Sequence, residues 1–77
     1  MPYSIYKNNY SGGYHLHQAS NYGGICTPDD ASICKKSYRT GSSLVSSCLT
    51  ASEARHKTAD IGEPFCGTCV SHLYKNY

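Results

Sequence analysis

A chain of 77 residues allows a single domain over 1–77 with a thin core, because a chain this short removes only about 60% of its unfolded surface from water. Seven Lys+Arg against five Asp+Glu give a net charge of +2, too slight to indicate a polyanion partner from charge alone. No apolar run approaches the ~18 residues that cross a bilayer, which excludes a membrane-spanning helix.

Residues 1–24 are rich in Tyr, Asn and Gly, with Tyr3, Tyr6, Tyr10, Tyr14 and Tyr22 in less than a third of the length. Aromatic residues favour strands, and Ser11-Gly12-Gly13 supplies positive-φ positions, so a hairpin is predicted between Tyr3–Tyr10 and Tyr14–Gln18. His15 and His17 then share one face. Gly23-Gly24 reads as a second turn leading to Ile25 and Cys26.

A helix is predicted from about Pro28 to Thr40. Thr27 suits the N-cap and Pro28 the first helical position, Asp29 and Asp30 complement the positive end, and Lys35, Lys36 and Arg39 lie toward the other end before Gly41. Ala31, Cys34 and Tyr38 would share its buried face, where a Cys acts as a small hydrophobe. Leu44, Val45, Cys48 and Leu49 recur at i, i+1, i+4 and i+5, which also suits one longer helix beginning near Ser43, so 44–49 is ambiguous. Thr50 and Glu53 form a capping-box pattern, so a helix is predicted from Ala51 to Asp60, ending at Gly62, with Glu53 able to pair with Lys57. Gly62-Glu63-Pro64 breaks the chain, Phe65–Val70 reads as a tight loop, and Ser71–Tyr77 as a short helix or tail.

Small scaffolds need a staple. Five Cys is an odd number, and the Met-Pro-Tyr-Ser start carries no basic, apolar export pattern. Reduced thiols in a cytoplasmic setting are therefore expected, with a metal in preference to a disulfide framework. Cys66-Gly67-Thr68-Cys69 is a CxxC, a spacing that lets both sulfurs reach one Zn²⁺ at about 2.3 Å. A redox role for that motif needs a βαβ setting, which this sequence does not offer. Two more ligands must come from upstream. Cys26, in a Gly-flanked turn, leads Cys48 and Cys34; His15 leads His17, with His72 competing because Cys69-x-x-His72 spans one helical turn.

His15-Leu16, about ten residues, Cys26, a variable stretch and then Phe65-Cys66-x-x-Cys69-Val70 resemble the small zinc-finger proteins common in bacteriophages and some bacteria. In those proteins a His-Leu strand, a single Cys and a late CxxC share one zinc. The likeness covers about a quarter of the chain, and it implies His15, Cys26, Cys66 and Cys69 as the zinc ligands. Thr27 stands where that pattern usually has Gly, and the 27–65 insert is long.

Together these readings predict a small α+β zinc-stabilised domain with an N-terminal β-hairpin, one or two short helices and a zinc knuckle near the C-terminus. Pro64-Phe65-Cys66-x-x-Cys69 is similar to half of the zinc-deaminase signature, but His15-Leu16-His17 lacks the Glu that shuttles protons there, so no catalytic residue is expected. The Tyr array points to a protein partner, and the phage likeness to a modulator of a host protein. A nucleic-acid-binding finger is the second reading, on Lys35, Lys36 and Arg39 with Tyr38 for stacking.

Overall fold

The computed structural model describes residues 2–74. Strand β1 (Tyr3–Asn8) and β2 (Tyr14–Tyr22) form the expected hairpin, in a register that runs from Tyr3 opposite Gln18 to Lys7 opposite Tyr14. The Asn8 carboxamide oxygen accepts from the backbone N–H groups of Tyr10 and Ser11, and Gly12 supplies the left-handed residue at φ 76°. A polar side chain thus holds the turn that the glycines permit. At the far end of β2, Gly23 and Gly24 sit at φ 60° and 81°, the conformation a two-residue hairpin turn demands. They lead into β3 (Ile25–Pro28), which pairs with Ala19–Tyr22.

One expectation for the middle of the chain is corrected, and one open stretch finds its element. No helix covers 28–40. Thr27 and Pro28 lie in β3, opposite Ser20 and Ala19, where an edge strand accommodates a proline without losing a ladder bond. The chain beyond folds back on itself: Arg39 N–H donates to the Asp30 carbonyl, Ala31 bridges Tyr38, and Ser32 N–H donates to the Ser37 carbonyl at 2.8 Å. The residues it buries are Ser32 and Ser37, so a cap-like sequence and a weak apolar face did not suffice to make a helix. The ambiguous 44–49 stretch belongs to β4 (Ser42–Leu49), which lies antiparallel on the other side of β1 and completes the sheet order β3-β2-β1-β4.

Helix α1 (Ala51–Ile61) begins as its sequence dictates. The Thr50 hydroxyl accepts from Glu53 N–H at 3.1 Å, the Glu53 carboxylate accepts from Thr50 N–H at 3.0 Å, and Gly62 ends the helix at φ 77°. Helix α2 (Gly67–Leu73) starts within the CxxC, earlier than expected; the rest of the predicted 71–77 segment, beyond Tyr74, lies outside the described residues. One sheet face, through Tyr3, Ile5, Leu16 and Leu49, packs with Ala54, Phe65, Cys69 and Leu73 to form the core. Among the described residues, no helix is long and apolar enough to cross a membrane.

Candidate metal centre

The short length of β3 shapes the site. Its ladder stops at Ala19, so the outward backbone groups of Tyr14, Leu16 and Gln18 need other partners. Asp29 N–H donates to the Gln18 carbonyl and Ile33 N–H to the Leu16 carbonyl; Tyr14 N–H donates to the Pro64 carbonyl, and Cys66 N–H to the Tyr14 carbonyl. These bonds, of 2.7 to 2.9 Å, pin the segments carrying Cys34 and Cys66 on either side of His15. Tyr14 also stacks on Phe65, with ring centroids 6.3 Å apart. Cys69 follows one helical turn after Cys66, in α2.

As a result the donor atoms of His15, Cys34, Cys66 and Cys69 all lie within 4.8 Å of one another. His15 Nδ1 is 3.3 Å from Cys34 Sγ and 3.9 Å from Cys69 Sγ. Such a group, three thiols and one imidazole, is able to hold a metal ion, and thiolate with imidazole is the set that suits borderline-soft Zn²⁺.

Burial and hydrogen bonding set the Cys34 and Cys69 sulfurs apart. Burial raises the Cys34 pKa, but the Ser32 hydroxyl, the Lys36 backbone N–H and His15 outweigh it and bring the thiol down to about 6. Lys35 makes that backbone bond possible: at φ 64° it turns the chain so that Lys36 N–H points back at the sulfur. Burial pushes the Cys69 thiol up to about 12, opposed by backbone hydrogen bonding at Leu16 and Cys34 and helped by the neighbouring sulfurs of Cys66 and Cys34.

Of the residues expected as ligands, His15, Cys66 and Cys69 come together and Cys26 does not. Cys26 is joined to Cys48 in a disulfide between β3 and β4, with Cα atoms 5.9 Å apart, so its sulfur is already bonded and is not among the clustered donors. The fourth place is taken by Cys34, which the helical reading had assigned to a buried face. No periodic signal marks it, because its position depends on the Ile33–Leu16 bond, 17 positions apart in sequence, and on a left-handed Lys35 that the sequence does not announce with Gly or Asn.

The other histidines have separate surroundings. His17 is fully buried, donates from Nδ1 to the Asp29 carbonyl at 2.8 Å and packs against Tyr6; burial lowers its pKa and keeps it neutral. His72 lies 3.3 Å from the Gln18 carboxamide and edge-on to Tyr3. The tyrosines divide as well. Tyr3 is core, whereas Tyr10 and Tyr22 are 90% and 87% exposed at opposite ends of β2. No family model, curated protein or solved structure matches the chain.

Proposed function

We propose that this chain is a small, non-catalytic, zinc-stabilised binding module in which His15, Cys34, Cys66 and Cys69 hold one Zn²⁺. The observation that carries the reading is the convergence of four donor atoms within 4.8 Å. Zinc–sulfur bonds of about 2.3 Å imply sulfur–sulfur edges of about 3.8 Å in a tetrahedron. The group therefore needs to tighten by no more than about 1 Å at its widest edge.

Such an ion ties together three pieces of the chain: β2, the folded-back 30–39 segment and α2. With a core of eight of the described residues, the domain has good use for that tie, since the binding free energy of a structural zinc is largely folding free energy. Four protein ligands fill the coordination sphere and leave no position for a reactive water, which favours a structural ion over a catalytic one.

A protein is the partner class this reading favours. Exposed aromatic and aliphatic side chains at the second hairpin tip, Tyr22 and Ile25, offer rigid contact area of the kind that anchors interfaces. On the likeness to phage zinc fingers, that partner is a host protein. The metal reading is tested by native mass spectrometry of protein expressed without chelator: one zinc per chain is expected, and its removal should lower the melting temperature. Protein that carries no stoichiometric zinc overturns it.

A further inference from the structure

Strands β3 and β4 are the two outer strands of the order β3-β2-β1-β4, yet Cys26 on one is bonded to Cys48 on the other. The sheet must roll until its edges meet. The residues on the inner side of that roll follow from the register. Ser4 is opposite His17, and Asn21 is opposite Cys26, so Ser4, His17, Ala19, Asn21 and Cys26 share one face. Ser4 and Ala19 on that face are 0% and 2% exposed, and such small side chains let the edges approach.

Cys48 is placed for the junction by a distortion. Between Tyr3 opposite Leu49 and Ile5 opposite Ser46, one residue of β1 faces two of β4, which is a β-bulge, a device that re-aims side chains. Cys48 itself has φ 57°, a left-handed conformation that strains any residue with a Cβ. Strain held at one position of an edge strand is a sign that the position is used.

We propose that Cys26–Cys48 is a reversible thiol–disulfide site, a latch on the two sheet edges that works separately from the Cys34, Cys66 and Cys69 thiols. Two features make it reversible. Cys48 is solvent-exposed and Cys26 half-buried, so a small thiol has access to the bond, and exposed disulfides are the labile ones. Among the described residues, β3 supplies none of the buried core, and Ile25 is 69% exposed, so opening the latch leaves the core intact.

The chemistry is ordinary exchange with a thiol reductant. A reductant thiolate attacks Cys48 Sγ and the Cys26 thiolate leaves and takes up a proton. A second reductant thiolate then attacks the reductant sulfur of the mixed disulfide and releases Cys48. Two electrons pass to the pair, and two reductant thiols become one disulfide. The product has free outer edges on β3 and on the end of β4, which are templates for an added strand. The metal group keeps the next stretch in place, because Cys34 and the Ile33–Leu16 bond lie beyond the freed segment.

The test uses the full chain, equilibrated in air and then in glutathione buffers of rising reduced fraction. Thiols are counted by alkylation after denaturation with chelator, zinc by metal analysis, and local order by hydrogen exchange. Three thiols are expected before reduction, those of Cys34, Cys66 and Cys69, and all five after it. Exchange should speed by about tenfold or more over 22–28 and 45–49, with 14–18 and the zinc content unchanged. The Cys26→Ser, Cys48→Ser double variant should match the reduced protein in exchange. Five thiols in the aerated protein, a bond that survives fully reduced glutathione, or faster exchange across the whole chain each overturn the latch. Because thiol count and exchange are read whether or not zinc is present, failure of the metal reading and failure of the latch are distinguishable.

Discussion

Cys34 Sγ lies 3.3 Å from His15 Nδ1, although 19 positions separate the two residues. The contact exists because Ile33 N–H is bonded to the Leu16 carbonyl, and it makes Cys34, in place of Cys26, the fourth member of the metal group. Cys34→Ser should therefore lower zinc affinity by more than the 10–100-fold (about 1.4–2.7 kcal/mol) seen when only a supporting partner of a ligand is lost. The Cys26→Ser, Cys48→Ser double variant should retain full zinc. Competition with a chromophoric chelator measures both, and the reverse order would return the assignment to Cys26.

How much of this was legible in the sequence depends on how local each signal is. The β1–β2 hairpin, the Gly23-Gly24 turn and α1 were readable because glycines, a capping box and strand-favouring aromatics act over a few residues. Cys66 and Cys69 were readable for the same reason, as a spaced pair. The 28–40 segment was misread since Thr27, Pro28, Asp29 and Asp30 form a helix start that is equally compatible with an edge strand ending in proline, and long-range bonds to β2 decide between them. The pairing of Cys26 with Cys48 depends on a rolled sheet, which no local pattern records.

Lys35 offers a test of the turn that aims a backbone N–H at Cys34. Its left-handed backbone, at φ 64°, costs an L-residue about 1–2 kcal/mol, of which Gly recovers part after its own entropy is counted. Lys35→Gly should raise stability by up to about 1 kcal/mol, a few degrees in melting temperature for a domain of this size, with zinc stoichiometry unchanged. A loss of stability would mean that the Lys35 side chain contributes more than its backbone strain removes. Thermal melts of the two proteins at matched zinc content decide it.

At the start of α1 both bonds of the capping box are formed. Thr50→Ala removes the hydroxyl that accepts from Glu53 N–H and should cost about 1 kcal/mol, or about 4–8 °C in melting temperature. Thr50→Ser keeps the acceptor and should lie close to the parent. Equal losses in the two variants would place the effect of Thr50 in its methyl group.

The thiols also predict a pH dependence for metal binding. Cys69, pushed up to about 12 by burial, and Cys34, held down to about 6 chiefly by the Ser32 and Lys36 bonds that oppose its own desolvation, differ in the metal-free protein. Zinc binds thiolates. Cys69 must therefore give up a proton across pH 7–9, which contributes about one decade of affinity per pH unit. Cys34 is already ionised there, and its proton competes only as the pH falls through about 6, so its contribution to the slope appears below that value. Ultraviolet absorbance of the metal-free protein should show a thiolate signal at pH 7.5 that Cys34→Ser lacks. A titration that is the same in both proteins would remove the assigned order.

The Gly23-Gly24 hairpin tip and the Lys35-Lys36 pair give the choice of partner a sharp test. Tyr22 and Ile25 are opposite each other across the Gly23-Gly24 turn and are 87% and 69% exposed, so replacing both by Ser removes apolar surface without touching the core. If this tip anchors a protein, the double variant should keep its fold and zinc while binding that protein at least about thirtyfold more weakly, the effect of losing an aromatic hot spot. Lys35→Ala with Lys36→Ala should then have a small effect, since charges at an interface rim act mainly on association rate. The opposite pattern, with the Lys variant defective and binding that falls steeply with salt, would assign the module to nucleic acid.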